Sequence, residues 1–331
     1  MPAQRAYDQF HRDSAPVPEP QTHGSEFFKK TFEQFGLSLG SHSEGLLNRL
    51  TQLAEGSKTV EDEMQAIGFA DKIFAYLAGS EILRPLSVEI QQQIRAATLV
   101  TDVGKTGPHT ANEDETAVFI RLYKIDANFN PSTLSLRSFL DTYLKPQVDI
   151  SVLTYTETVL QKFLAQDKNI ETKHGHVTDM SMREFFNLHA GWTFNILREN
   201  DVPLEIAVTA ANHHMLESVN PDSILDDEDY IGSEMSFRRP VDEREIFVIL
   251  LDKYQAQLRR GSEKGVITHQ KAIRWLRDFI SIPRENDSRY LRELKAGKHE
   301  RVNALFQTCI DDMDNALGGI RVVEMDQQKA A

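Results

Sequence analysis

The chain has 331 residues, 40% of them hydrophobic and 26% charged, which is typical of a folded globular protein with one large domain or two smaller ones. Its formal net charge of −13 argues against binding of a nucleic acid duplex through a broad basic surface. The single cysteine, Cys309, excludes an internal disulfide and a thiolate metal site built from this chain. No run approaches the roughly 20 apolar residues of a membrane-spanning helix, and the first residues lack the apolar core of a signal peptide. We therefore expect a cytoplasmic protein that makes no contact with a membrane.

The first 58 residues divide into a tail and a helical segment. Residues 1–22 contain four prolines and little periodic apolar content, which predicts a flexible tail. Residues 23–58 carry two apolar stripes at helical spacing, which predict an N-terminal helical cap packed on the main domain. A protein partner that binds these helices is the alternative. The stripes consist of Phe27, Phe28, Phe32 and Phe35, followed by Leu46, Leu47, Leu50 and Leu53.

Two further helices lead to the first polar residues of interest. Apolar periodicity predicts one helix over 60–77 and another over about 88–102. The second helix is expected to end there because the segment 103–108 contains two glycines and a proline, which terminate helices. Asp102 and Lys105 therefore lie at a helix–loop junction, where side chains can converge on a ligand.

Two predicted helices in the middle of the chain carry three histidines that could bind a metal. Residues 109–178 are predicted to form a mostly helical insertion between two parts of one site. Beyond the insertion, one helix carries His189. A second helix begins near Pro203, where proline is well tolerated, and delivers His213 and His214 at its far end.

The last third of the chain completes an all-α protein. The acidic stretch 226–240 predicts a long loop, and 242–258 predicts a buried helix, because it is apolar nearly all round. Helices are also predicted over 268–279 and, as one continuous final element, over 290–317. The aspartates Asp311, Asp312 and Asp314 predict a solvated face of that final helix.

Five side chains on these elements form a candidate metal site. Imidazole nitrogens and carboxylate oxygens are common ligands of divalent transition metals. Each residue also has a simpler interpretation: a hydrogen-bonded core histidine, a helix-terminal aspartate, or a buried aspartate paired with Lys or Arg. The five candidates are Asp102, His189, His213, His214 and Asp252.

The order of these motifs resembles that of the HD-domain phosphohydrolase superfamily, in particular its HD-GYP branch of cyclic-di-GMP phosphodiesterases. The matching segments are Asp102-Val-Gly-Lys105, His189 with Gly191 and Ile196-Leu197, His213-His214, and Leu251-Asp252-Lys-Tyr254. The resemblance implies an HD-type helical bundle over 59–282, with the insertion at about 109–178. Residues 283–331 would then form a C-terminal helix and tail.

The resemblance also implies an activity. It is that of a metal-dependent phosphohydrolase that acts on a phosphorylated small molecule or a cyclic dinucleotide. Asp102 would then be both a metal ligand and a catalytic residue, and Lys105 would be a second catalytic residue that binds substrate by holding a phosphate oxygen. The basic residues Arg259 and Arg260 occupy the place of those that follow the last metal aspartate of the family, so they are expected to bind substrate.

Three departures from the family pattern reduce the expected metal set. Thr101 and Phe69 stand where the family has histidines, and Met215 replaces a glutamate. The remaining nitrogen and oxygen ligands suit one divalent ion per chain, either iron, manganese or zinc. The alternative is a catalytically inactive HD-like signalling protein that binds a nucleotide or a protein partner. Other histidines could in principle contribute an imidazole: His109, beside the Lys105 turn, and His174 and His176, in the insertion.

Overall fold

The computed structural model describes residues 23–40, 43–80, 85–125, 129–165, 173–174, 176–217, 230–231, 238–264 and 268–318, with side chains of the 238–264 segment described up to residue 259. The predicted tail 1–22 lies outside these residues, as does most of the predicted acidic loop. Among the described residues, no helix combines the length and apolar character that a membrane crossing requires.

Thirteen α-helices form within the described residues, and the all-α prediction is confirmed. Short 3₁₀ turns at Val103–Thr106, Lys145–Gln147, Val177–Asp179 and Asn212–Glu217, and a π turn at Leu140–Leu144, connect or extend them. The helices are α1 Ser25–Gln34, α2 Glu44–Gly56, α3 Thr59–Gly79, α4 Val88–Val100, α5 Glu113–Lys124, α6 Leu136–Phe139, α7 Ile150–Leu164, α8 Met182–Glu199, α9 Leu204–Ala211, α10 Glu243–Lys264, α11 His269–Ser281, α12 Arg289–Lys295 and α13 Glu300–Gly318.

Two hydrophobic cores share helix α8. The larger core joins the N-terminal helices to α3, α4 and α9 to α13. The smaller core is formed by the insertion helices α5 to α7 and the beginning of α8. Phe185 of α8 belongs to the smaller core, whereas Ile196 and Leu197 belong to the larger one. His189 therefore lies where the two cores meet.

The predicted single final helix is wrong, because the chain breaks it into α12 and α13. Gly297 adopts a φ of +80°, a left-handed conformation that favours glycine. The N–H of Gly297 donates to the carbonyl of Leu294 at 3.1 Å, and that of Lys298 donates to the carbonyl of Glu293 at 3.0 Å. This pair of hydrogen bonds is a Schellman motif, which ends a helix.

Two smaller expectations also need correction. Within the predicted loop 226–240, Tyr230–Ile231 pairs antiparallel with Arg239–Pro240, a pair of two-residue strands too short to show sequence alternation. On α13, Asp312 is 9% exposed, so the predicted solvated face is wrong for this residue. The reason is that α13 packs against α3, α10, α11 and α12 and is therefore covered on several sides.

Candidate metal centre

A close approach between two elements brings Asp102 to His189. The backbone N–H of Gly104, in the 3₁₀ turn after α4, donates to the hydroxyl of Thr193 on α8 at 2.9 Å. That hydroxyl in turn donates to the carbonyl of Thr101 at 2.9 Å. A Cβ at Gly104 would lie 2.0 Å from the carbonyl oxygen of His189, so glycine is required for this approach. The turn therefore rests directly on α8 and places the Asp102 carboxylate beside the imidazole of His189.

The rings of His189 and His213 are oriented in the same way. Nδ1 of each ring donates to the carbonyl three residues earlier on its own chain segment, that of Phe186 for His189 and that of Ala210, at 2.7 Å, for His213. Because a carbonyl oxygen can only accept, the proton of each ring lies on Nδ1, and Nε2 carries a lone pair in the neutral form. Histidines that bind metals usually have this arrangement, in which a backbone carbonyl fixes the tautomer.

Three atoms then face a common point. His189 Nε2 lies 3.0 Å from His213 Nε2 and 3.2 Å from Asp102 Oδ1, and His213 Nε2 lies 3.8 Å from the same oxygen. The point equidistant from these atoms in their plane is about 2.0 Å from each, which matches the bond from a divalent transition metal to imidazole or carboxylate, ~2.0–2.2 Å. Both rings are buried, and the Asp102 side chain is 16% exposed. The three groups therefore have the separation expected of ligands on one ion.

His214 occupies a different place in the cluster. One ligand nitrogen from each of His189, His213 and His214 lies within 4.8 Å of the others, so the three histidines could hold a metal ion. However, Nδ1 of His214 is 3.3 Å from the ammonium of Lys253, which can only donate. The same Nδ1 lies 3.6 Å from Glu217 Oε2, so this nitrogen already has two charged neighbours. His214 fits the role of ligand less well than Asp102 does.

Asp252 lies beside the same lysine. Its Oδ2 is 3.1 Å from Lys253 Nζ, and Glu217 Oε1 is 2.8 Å from the same ammonium. Burial acts to raise the pKa of Asp252, but Lys253 and then His213 and His214 hold that pKa below its usual range. The structure thus gives Asp252 the lysine partner that was the simpler interpretation of its sequence context, within electrostatic range of the histidines.

Charges in the cluster favour an ionised Asp102 and a neutral His213. Burial acts to raise the pKa of Asp102, but Lys105, His189 and His213 hold it well below its ordinary value. Burial, together with the neighbouring rings of His214 and His189, lowers the pKa of His213 well below its ordinary value. A carboxylate and a neutral imidazole are the protonation states that a metal ion needs in its ligands.

The three predicted substrate-binding residues differ in their distance from the cluster and in what the structure describes of them. Lys105 Nζ lies 2.5 Å from Asp102 Oδ2, and its side chain is 23% exposed, so it lies at the cluster. Arg259 forms an ion pair with Asp62 at 2.8 Å, and its side chain is 53% exposed. The side chain of Arg260 lies outside the described residues.

The other residues considered from the sequence do not add an imidazole to the cluster. Phe69 is buried and packs edge-to-face on Tyr254, with ring centroids 5.2 Å apart. His109 is exposed. In the insertion, His174 pairs with Glu184 at 3.3 Å, and His176 hydrogen-bonds Thr178 at 2.8 Å.

Two buried polar residues that support the site were not identified from the sequence. Glu63 on α3 is 5% exposed, and its Oε1 accepts the backbone N–H of Asp102 at 3.2 Å. Burial and the charge of Asp102 raise the pKa of Glu63 well above its ordinary value. Arg49 on α2 donates to five oxygen atoms of the segment that follows Lys105, from Thr106 to Ala111. The acidic residue in an otherwise apolar stripe of α3, and the arginine within the leucine stripe of α2, were the available signals.

Comparison of the chain with protein-family models, with curated proteins and with solved structures found no match. The resemblance to the HD superfamily accordingly stays a prediction that depends on the order of four short motifs. What the described residues establish is a buried histidine cluster that could hold a metal ion.

Proposed function

We propose that the chain binds one divalent metal ion through His189 Nε2, His213 Nε2 and Asp102 Oδ1, and that it hydrolyses a phosphate ester or phosphodiester there. The observation that carries the proposal is the 3.0 Å separation of two Nε2 atoms whose rings both donate from Nδ1 to backbone carbonyls. Two neutral rings in this arrangement point lone pairs at each other, an unfavourable contact that a bound metal cation would relieve.

The donor set narrows the choice of metal. Two imidazole nitrogens and one carboxylate oxygen suit iron, manganese or zinc better than calcium or magnesium, which prefer oxygen ligands. Three protein ligands leave coordination positions for water or substrate, as catalytic sites require. One ion per chain is therefore proposed.

Phosphohydrolase chemistry fits the residues around that position. A bound divalent ion lowers the pKa of a water ligand towards neutrality and polarises a phosphoryl oxygen. The two oxygens of Asp102 have separate partners, with Oδ1 towards the histidines and Oδ2 on Lys105, so the carboxylate is held in one orientation. The partly exposed ammonium of Lys105 is in place to meet a phosphate oxygen as a point charge. A phosphorylated small molecule or a cyclic dinucleotide is the proposed substrate class.

One observation favours a second candidate, a non-catalytic HD-like protein that binds a nucleotide or a protein partner. Thr101 and Phe69, which replace family histidines, are both buried and engaged elsewhere. The hydroxyl of Thr101 donates to the Thr98 carbonyl at 2.7 Å, and Phe69 packs on Tyr254. Neither residue supplies a nitrogen ligand, so a two-metal version of the site is not built from these positions.

Metal content and hydrolysis together test the proposal. We expect protein purified without added metal, or loaded with Mn²⁺, Fe²⁺ or Zn²⁺, to hold close to one ion per chain by elemental analysis. We further expect it to hydrolyse bis(p-nitrophenyl) phosphate or a cyclic dinucleotide, and Asp102→Asn to lose both properties. Bound metal without hydrolysis would favour the non-catalytic candidate, and the absence of any bound metal would overturn the metal centre itself.

A further inference from the structure

A second buried acidic side chain contacts the backbone of Asp102 from a different helix. Glu63 of α3 points one oxygen, Oε1, at the backbone N–H of Asp102. Its other oxygen, Oε2, is buried and has no hydrogen-bond partner within the described part of the chain. A buried carboxyl oxygen without a partner is costly, so a group that satisfies it is expected there.

A neighbouring hydroxyl is in the same situation. Thr98 lies one turn before Asp102 on α4 and is 4% exposed. Its Oγ1 is also buried without a partner among the described residues. Two polar side chains close to one metal-ligand candidate thus have buried atoms without a hydrogen-bond partner among the described residues.

The basic side chains near Glu63 are engaged by other carboxylates. Asp62 and Asp102 are the acidic neighbours, and Lys105 is the basic one. The ammonium of Lys105 is already bound to Asp102 at 2.5 Å, and Asp62 is already paired with Arg259 at 2.8 Å. The basic side chains near Glu63 therefore already pair with other carboxylates, and a bound cation would give Oε2 a partner.

We infer that Glu63 belongs to the coordination sphere of the ion bound at Asp102, His189 and His213, where its Oε2 binds the ion or a water molecule on it. This inference rests on the proposed metal site and adds a fourth protein group to it. It also assigns to α3 a contribution that the resemblance had placed at Phe69, six residues further along the same helix. The site would then be richer in oxygen ligands than the histidine cluster alone, which favours manganese or iron over zinc.

The variant Glu63→Gln separates this role from a purely structural one. The amide oxygen of glutamine can still accept the N–H of Asp102, so the anchoring hydrogen bond is kept while the carboxyl group that would bind the ion is removed. Asp62→Asn is the matched control, because it makes the same acid-to-amide change at the adjacent residue. The Asp62 side chain pairs with Arg259 and Gln255 instead of with Asp102. Helical circular dichroism shows whether each variant is folded.

The affinity for Mn²⁺ is measured by isothermal titration calorimetry with Mn²⁺ as the only added ligand. We expect Glu63→Gln to weaken Mn²⁺ binding by about tenfold or more and to reduce the Mn²⁺-induced rise in Tm, whereas Asp62→Asn leaves both near the wild-type values. Unchanged Mn²⁺ affinity in a folded Glu63→Gln variant overturns the role of Glu63 and leaves the metal site standing. A wild-type protein that binds none of Mn²⁺, Fe²⁺ and Zn²⁺ overturns both.

A measurement on the wild-type protein covers the case in which Glu63→Gln does not fold. Infrared difference spectra with and without Mn²⁺ are recorded on protein that carries ¹³C-carboxyl glutamate. An isotope-shifted carboxylate band that changes on addition of Mn²⁺ supports a glutamate in the coordination sphere. Since Asp102 is unlabelled, the absence of any such band contradicts the inference.

Discussion

Gly104 and His189 are in contact so close that a single added methyl group at Gly104 would lie 2.0 Å from the carbonyl oxygen of His189. The same methyl group would also lie 2.7 Å from the backbone nitrogen of Thr193. Both contacts are with the backbone of α8, which cannot move aside as a flexible side chain could. The position of Asp102 relative to His189 therefore depends on the absence of a side chain two residues away.

Gly104→Ala is accordingly expected to separate the 3₁₀ turn from α8. We expect a loss of about 3 kcal/mol or more in the free energy of unfolding, measured with urea, together with loss of bound metal. Gly191→Ala on α8 is the control, because nothing lies within 4 Å of a Cβ at that position. This control should be neutral or stabilising by up to ~1 kcal/mol, since alanine is the better helix former. Equal effects of the two variants would show that the close approach is not what orders the site.

The facing imidazoles lead to a prediction about metal content. Removal of one ligand, in His213→Ala or Asp102→Ala, should abolish bound metal as measured by elemental analysis. Helical circular dichroism should remain largely intact, because the two cores pack independently of these polar atoms. His109→Ala is the control, since that side chain is exposed and contributes no ring to the cluster. Collapse of the helical signal in both ligand variants would instead identify these residues as structural.

Arg49 provides a test of how the segment after Lys105 is held. Its guanidinium donates to the carbonyl and hydroxyl of Thr106 and to the carbonyls of Pro108, His109 and Ala111. Burial lowers the pKa of Arg49 to about 10, so the group remains charged at neutral pH.

Lysine has three donors at one point and cannot reach all five oxygens. Arg49→Lys should therefore lower the free energy of unfolding by about 1–3 kcal/mol, measured by chemical denaturation. The exposed Arg289, whose partner is Glu293 at 3.3 Å, offers the comparison. Arg289→Lys should change stability by no more than about 0.5 kcal/mol. A loss of stability in Arg49→Lys as small as that in Arg289→Lys would contradict the proposed role of the guanidinium.

Asp312 gives a prediction about pH. Burial, with the nearby charge of Asp311, raises the pKa of Asp312 to about 6 in the folded protein. Between the unfolded value of ~3.9 and pH 6, the folded state keeps a proton that the unfolded state has lost, so this group lowers stability as pH rises through that window. Above pH 6 this decrease in stability is complete.

Asp312→Asn should consequently raise stability at pH 7.5, by at most about 3 kcal/mol, and should have no stabilising effect near pH 3.5. Thermal unfolding of the variant and the wild-type protein, compared at several pH values, measures the difference. A stabilisation that is the same at both pH values would mean that the charge of Asp312 is not its origin.

The sequence predicted most of the helices and part of the site for one physical reason. Apolar residues at helical spacing mark a buried helix face, and this periodicity located the helices that carry His189 and Asp252. The residues that it did not identify are polar and buried. Glu63, Arg49 and Thr193 read as ordinary polar positions, because their partners come from distant parts of the chain and only the folded structure brings them together.

The break at Gly297 shows a different limit of the sequence pattern. The apolar spacing continues from α12 to α13, so periodicity alone favours a single helix. The helix ends because one glycine takes a left-handed conformation and the carbonyls before it are capped by hydrogen bonds. The spacing of apolar residues does not indicate such local backbone conformations.

The contact between Arg49 and the segment 106–111 bears on how this protein could be divided or recombined. Every proposed metal-binding residue lies after residue 58, so the first two helices contribute no ligand to the proposed site. Removal of these helices would nevertheless remove Arg49, whose guanidinium donates to five oxygen atoms in the segment that follows Lys105. A chimaera that exchanges the N-terminal helices must therefore supply an arginine at the equivalent place, or the segment that follows Lys105 will lose these hydrogen bonds.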